Sequence, residues 1–229
     1  PLEIKELLIS GVRAELGPDY DVAKHFTPSY NPWDQRLCLV PDSDLFKAIR
    51  SGKAEIVTDT IKKFTPNGIE LDSGQTLEAD IVVTATGLNL VTLGEMEFIV
   101  DSKPVDFAQT WTYKGFAFSG IPNLASSWGY INASWTLRAD LTCEIVCRLL
   151  NHMRDTKTSM CTPTLRASDT NMPVKSWIES FSSGYMRRAM HKMPKQGDRE
   201  PWINPQNYRR DKKMFRKSPI DDGVMIFAR

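Results

Sequence analysis

Asp80-Ile81-Val82-Val83-Thr84-Ala85-Thr86-Gly87 is the stretch on which the fold turns. Ile81, Val82 and Val83 are consecutive, apolar and β-branched, with no polar alternation. Such a run predicts a strand buried on both faces, as in a parallel sheet. It ends in the small residues Ala85-Thr86-Gly87. Ligands of open α/β sheets sit beyond the carboxyl ends of strands, where small side chains let the backbone approach them. The same ending also serves plain packing, and both readings stand at this point.

Upstream, the pattern is of shorter elements. Leu2, Leu7, Leu8 and Val12 recur at helical spacing and predict a helix from Pro1 to Leu16, closed by Gly17-Pro18. Residues 28–41 carry Pro28, Pro32 and Pro41 and are expected to be irregular. Tyr30, Trp33, Asp34 and Arg36 lie together in that loop, the content of a site or of a cover over a domain edge. Asp44 to Gly52 reads as a short helix or turn. Strands are expected at 55–58, 60–65 and 69–71, with turns at Pro66-Asn67-Gly68 and Asp72-Ser73-Gly74, forming an antiparallel hairpin or meander.

Downstream, short strands are expected around Val100 to Val105 and at Gly115 to Ser119. An apolar run from Leu124 to Trp128 leads into Gly129-Tyr130-Ile131-Asn132-Ala133-Ser134. The clearest helix follows: Leu137, Leu141, Ile145 and Leu149 are spaced by four, with Val146 and Leu150 widening the stripe. Ser134 or Asn132 is suited to cap it. A helix start after a strand presents unpaired N–H groups and a partial positive charge, and so an anion site; a capped turn without ligand fits equally. Beyond Asn151 prolines interrupt the pattern. A helix within Val174 to Met190 would carry Trp177, Phe181 and Tyr185 as a packing stripe.

The composition excludes little. The chain has 229 residues, 41% hydrophobic and 25% charged, and a formal net charge of +1, so the total gives no case for a nucleic-acid or acidic partner. Basic residues concentrate between Arg187 and Lys217, a solvated face or else a phosphate- or subunit-facing strip. No apolar run reaches the ~18 residues of a membrane span, and no signal peptide is visible, so a cytoplasmic protein without a transmembrane segment is expected. Cys38, Cys143, Cys147 and Cys161 form no zinc pattern; Cys143 and Cys147, four apart, are expected as buried reduced thiols. His25, His152 and His191 are scattered, and no metal site is expected.

Several stretches together carry a resemblance. They are Tyr30-Asn31-Pro32-Trp33-Asp34-Gln35-Arg36-Leu37, Asp80 to Asn89, Gly129 to Leu137, Pro194-Lys195-Gln196-Gly197 and Ile220-Asp221-Asp222-Gly223. The chain resembles class B flavoprotein monooxygenases, in particular Baeyer–Villiger enzymes of the mycobacterial ethionamide-activating type. The resemblance is weakest between Thr156 and Lys175. It implies an α/β fold, the C-terminal part of a two-dinucleotide-binding-domain flavoprotein, with a parallel sheet, an antiparallel hairpin and a final capped helix. It also implies residues 1–54 as the end of an NADPH-binding domain with an active-site loop, 55–155 as the return into an FAD-binding domain, and 156–229 as an irregular, partly helical extension.

FAD and NADPH are the implied cofactors, and a ketone, sulfide or amine with O2 the implied reactants. A homo-oligomer is compatible with the family. Ala85, Thr86 and Gly87 would mark the return toward FAD, and Gly129, Tyr130, Asn132, Ala133 and Ser134 would lie by the isoalloxazine ring, whose reduced form is an anion suited to a helix start. Arg36 matches the family's active-site arginine: a permanent guanidinium charge stabilises an anionic C4a-peroxyflavin and the tetrahedral intermediate that follows, and it also suits the nicotinamide amide.

One departure is plain. No G-x-G-x-x-G occurs, whereas the family has two such phosphate loops. They would lie N-terminal to Pro1, and the chain by itself is expected to bind FAD poorly and to lack monooxygenase activity. The alternatives are a non-catalytic α/β module that binds a nucleotide or a protein through the basic C-terminal region, and a flavoprotein of thiol- or amine-directed chemistry. No Cys-x-x-Cys pair supports the thiol version.

Overall fold

Glu3 in the first turn and Arg13 in the last complement the dipole of the opening helix, α1 (Leu2–Leu16). The structure is a computed structural model that describes residues 2–38, 40–179 and 181–229. Pro1, Leu39 and Ser180, which fall within the first helix, the proline-rich loop and the 174–190 segment read above, lie outside the described residues. The chain forms two compact units, Pro1–Leu88 and Asn89–Arg229.

In the first unit, α1 is joined by α2 (Val22–His25) and α3 (Asp44–Arg50). Asp21 caps α2 by accepting from the Lys24 N–H at 3.0 Å. Glu15 at the end of α1 accepts from the Ser43 hydroxyl and pairs with Arg50, holding α3 against α1. The leucine stripe does not point inward as its spacing suggests. Leu2, Leu7 and Leu8 are exposed, and Ile9 is the buried residue of the helix.

An antiparallel meander is present, with β1 (Ile61–Thr65) and β2 (Gly68–Leu71) near two of the expected strands and β3 (Thr76–Glu78) a third that was not expected, paired in that order. Gly68 is required there. Its φ is +149°, and a Cβ would sit 1.9 Å from the Leu77 carbonyl oxygen. Residues 55–58 form no strand.

Asp80 to Thr84 is the main correction. These residues lie outside any strand, and Ile81 and Val83 are 81% and 82% exposed. Every sheet among the described residues is antiparallel, so the expected parallel sheet is not found. A doubly buried strand needs neighbours on both edges and helices over both faces. No strand among the described residues pairs with this run. The β-branched pattern records fitness for such a position; it does not supply the partners.

The second unit begins with the hairpin β4 (Ile99–Val100) and β5 (Lys103–Pro104), turned by Asp101 and Ser102 at positive φ. The hairpin β6 (Thr112–Tyr113) and β7 (Ala117–Phe118) follows. Next comes α4 (Trp135–Thr156), the expected long helix. It is not the last, because β8 (Met160–Pro163), α5 (Gly184–Ala189), α6 (Tyr208–Lys217) and β9 (Met225–Ala228) come after it. β9 returns to pair with β8. α4 buries Leu141, Ile145 and Leu149 and leaves Leu137 and Leu150 exposed, a narrower stripe than the spacing suggests.

Cys143 and Cys147 are exposed, against expectation. Cys143 follows the buried Leu141 by two positions, and Cys147 follows the buried Ile145 by two. Successive residues rotate by roughly 100°, so each thiol lies about 200° around the helix from its buried neighbour.

Trp202, Phe116, Phe215, Leu141, Ile145 and Met225 form the centre of the main core. Full burial of side chains of this size stabilises by about 1.5–3 kcal/mol each. Trp177, Phe181 and Met186 centre a second cluster, against which Trp128, Ile131 and Tyr185 pack. The predicted packing role of Trp177, Phe181 and Tyr185 therefore holds, although α5 covers only the last of them.

Candidate functional site

The segment ahead of α4 is the best-organised of the predicted site stretches. Gly129 is buried, and a Cβ on it would lie 2.1 Å from Cγ of Trp135. Only a glycine lets the Trp135 ring lie on the backbone there, with its centre 5.4 Å from that of Trp128. Tyr130 is 2% exposed, and its hydroxyl donates to Asp211 Oδ2 at 2.7 Å. Burial above all, and the bond to Asp211, push that phenol above its ordinary value, so it stays a donor. The Ile131 N–H donates to Gln206 Oε1 at 3.1 Å, and Gln206 Nε2 donates back to the Gly129 carbonyl at 3.3 Å.

Asn132, Ala133 and Ser134 then turn outward and are exposed. Ser134 occupies the N-cap, but its hydroxyl pairs with Thr136 Oγ1 at 2.7 Å and makes no bond to the backbone. Of the two residues expected to cap α4, Ser134 does not cap its first-turn N–H groups. The positive end of the helix dipole lies on this exposed side.

Beneath this segment is a buried ion pair. Arg138 and Asp211 are both fully buried, with Nη1 of the arginine 2.6 Å from Oδ2 of the aspartate, off the line of a hydrogen bond. Arg138 Nη2 donates to the Lys114 carbonyl at 2.6 Å, and its guanidinium lies 4.6 Å from the centre of the Phe215 ring. Gly115, at φ +71°, makes room: a Cβ there would meet Arg138 Nη2 at 2.3 Å.

Nearby, Lys114 Nζ lies 3.0 Å from Asp222 Oδ2, which also accepts from the Tyr113 hydroxyl at 2.7 Å. Burial pushes the Asp222 carboxyl up, yet the Met225 N–H, Tyr113 and Lys114 together hold it below its ordinary value.

None of Gln206, Asp211, Arg138 and Gly115 was singled out from sequence. A signal existed for two. Arg138 is a charged residue three positions before Leu141 on the apolar stripe, and Asp211 is the lone acid in the run Tyr208 to Lys217.

Arg36 and Ala85–Gly87 belong to the first unit, and Gly129–Ser134 to the second, so each group is described within its own unit. Asn31 and Asp34 close a tight turn: the Asp34 N–H donates to the Asn31 carbonyl, and the Asn31 N–H to Asp34 Oδ2, both at 3.1 Å. Arg36 lies two residues beyond this turn. It is exposed and makes no hydrogen bond or ion pair among the described residues. Ala85, Thr86 and Gly87 are exposed and irregular, and Gly87 has φ +93°. Among the described residues no group of His, Cys, Asp and Glu could hold a metal ion, and no helix is long and apolar enough to cross a membrane.

The segment ahead of α4 is thus an exposed helix start behind a clamped glycine turn, and sequence comparison shows which proteins the chain is similar to. Across its full length this chain is a homologue of FAD-containing monooxygenases. It is 49% identical over 229 residues to the FAD-containing monooxygenase EthA of Mycobacterium tuberculosis, covering 100% of this chain and 46% of that protein. It is 46% identical over 230 residues to EthA of Mycolicibacterium smegmatis, again 100% of this chain and 46% of the relative. To a probable FAD-binding monooxygenase, AlmA, of Acinetobacter it is 47% identical over 231 residues, 99% of this chain and 45% of the relative. The chain thus spans a little under half the length of the curated relatives it matches. No family model matches, and no solved structure matches.

Proposed function

We propose that this chain is the C-terminal portion of an FAD- and NADPH-dependent monooxygenase that delivers one oxygen of O2 to a ketone or to a sulfur or nitrogen atom. The observation that carries this is the match, at 46–49% identity along the whole chain, to FAD-containing monooxygenases. Residues 1–54 would close the NADPH-binding domain, 55–155 would return to the FAD-binding domain, and 156–229 would form the extension.

The residues ahead of α4 fit one part of a flavin. Exposed N–H groups at a helix start suit the negative charge that a reduced isoalloxazine ring carries at N1 and O2. Asn132, Ala133 and Ser134 would line that edge, with Gly129 and Tyr130 fixing the turn behind it. Ala85, Thr86 and Gly87 would meet the cofactor with nearly bare backbone. Bound FAD would supply the electrons and the activation of O2.

Arg36 would supply the cation. Its guanidinium is permanently charged and without a partner among the described residues, as a group must be if it is to meet an oxyanion at a substrate carbonyl. The test is Arg36→Ala in a chain that also carries the nucleotide-binding half. Ketone oxidation is expected to fall about 10²–10³-fold, the usual cost of removing an oxyanion-stabilising donor, while FAD stays bound. Unchanged oxidation would remove Arg36 from the chemistry.

A second reading is favoured by one observation. Arg209, Arg210, Lys212, Lys213, Arg216 and Lys217 are all exposed on α6, opposite its buried Asp211, Met214 and Phe215. Arg210 pairs with Glu200 and Arg216 with Glu144. A cationic face of this kind suits a non-catalytic module that binds an anionic nucleotide or protein, and such a module would bind its partner with no flavin present.

A further inference from the structure

We infer that Gln206 is a positioning residue for the cofactor-facing turn, and that the stretch Asn204–Asp211 sets the geometry of the α4 helix start. This rests on the proposed reading of Gly129–Ser134 as flavin-facing.

The turn itself leaves two backbone groups unpaired, the Gly129 carbonyl and the Ile131 N–H. One side-chain amide satisfies both, because a glutamine carries a donor and an acceptor on the same carbon. Gln206 Nε2 donates to the Gly129 carbonyl at 3.3 Å and Oε1 accepts from the Ile131 N–H at 3.1 Å. Between these two residues Tyr130 points to Asp211 and is bonded there at 2.7 Å. Three consecutive residues of the turn are therefore each held by the side chain of Gln206 or of Asp211.

The amide of Gln206 is itself oriented. Its Nε2 also donates to Asn204 Oδ1 at 3.3 Å. Asn204 is buried, its N–H donates to Gln196 Oε1 at 2.9 Å, and Gln196 Nε2 donates to the Ser176 carbonyl at 2.6 Å. The Gly129 carbonyl can only accept and the Ile131 N–H can only donate, so Gln206 has one consistent orientation, with nitrogen toward Gly129 and oxygen toward Ile131. Gln206 adopts φ +51°, a conformation unfavourable for a residue with a side chain. The contacts offset that cost. Asn204 thereby supports Gln206 directly, and Gln196 holds the backbone of Asn204, with no contact of their own to Gly129, Tyr130 or Ile131 among the hydrogen bonds described.

Amide hydrogen exchange tests the clamp on the present chain. Gln206→Ala is expected to speed exchange of the Ile131 N–H about tenfold, while amides within α4 beyond its first turn keep their rates. Gln206→Glu retains an acceptor for Ile131 but no donor for Gly129, and is expected to restore part of the protection. Unchanged exchange at Ile131 in Gln206→Ala would overturn the clamp.

The functional half is read in the FAD-loaded protein that includes the nucleotide-binding half. There Gln206→Ala is expected to shift the visible absorbance and reduction potential of the flavin and to lower kcat with little change in KM, with Gln206→Glu intermediate. If Ile131 loosens while flavin spectrum and potential stay fixed, the clamp is real and the flavin-facing reading of Gly129–Ser134 fails.

Discussion

Arg138 is fully buried, and its neighbours must answer for its charge. It contacts Asp211, the Lys114 carbonyl and the Phe215 ring, while its Nε and Asp211 Oδ1 have no hydrogen-bond partner. Breaking a buried pair by removing one partner leaves an uncompensated charge, at a cost of about 3–5 kcal/mol. Arg138→Met is expected to lose stability in that range in denaturant unfolding. Adding Asp211→Asn removes the stranded charge and keeps an acceptor for Tyr130, so the double variant is expected to recover more than half of the loss. A loss under about 1 kcal/mol for Arg138→Met, in the range of an exposed pair, would mean that water or backbone movement compensates Asp211. Gly115 and Gly129 are glycines for a related reason: each yields its side-chain volume to a neighbour, the Arg138 guanidinium and the Trp135 ring.

Between elements, carboxylates fasten the C-terminal segments to the core, which ties stability to pH. The Asp169 carboxyl is held down to about 2 from an ordinary 3.8, first by the Arg166 side chain and then by the Trp202 indole N–H, against the opposing effect of burial. Asp222 is also held below its ordinary value. A depressed carboxyl stabilises the fold fully above its unfolded value, and that contribution is lost as the pH falls through the folded value. For Asp169 the window runs from about pH 4 down to about pH 2. Thermal melts across that window are expected to show a smaller fall in Tm for Asp169→Asn than for the unaltered chain. Parallel falls would show that other groups govern the acid transition. Asp222 anchors Lys114 and Tyr113 at the β6–β7 hairpin, and separately the Arg148 side chain of α4 donates to the Phe215 and Ser218 carbonyls at the end of α6.

At the scale of the molecule, the chain has on the proposed reading a helix start that would face the ring of a flavin, while the sequence holds no glycine-rich loop for its pyrophosphate. Dinucleotides are gripped by their phosphates at such loops. The purified chain is therefore expected to carry no stoichiometric flavin absorbance and to show no NADPH oxidation above buffer. Flavin bound one-to-one would mean that the ring-side contacts suffice, and would sink this expectation. The run Ile81 to Val83 speaks to the same scale, because its exposed β-branched side chains have a strand's composition and no strand to pair with among the described residues.

Local rules were legible in the sequence. The helices α1 and α4 follow from spacing, the meander from Gly68 and Gly74 between short apolar runs, and the family from stretches quoted residue by residue. These features depend on neighbours within a turn or two of chain, which the sequence carries in full. Which face of α1 is buried and whether residues 80–84 are a strand depend on what lies opposite in space, and periodicity does not contain that; the outward position of Cys143 and Cys147, by contrast, was already implied by the stripe, each lying two positions past one of its buried members. The partners of the turn at Gly129 were equally hidden. Gln206 lies 77 residues from Gly129 and Asp211 lies 81 from Tyr130, and only the folded chain brings them to hydrogen-bond distance.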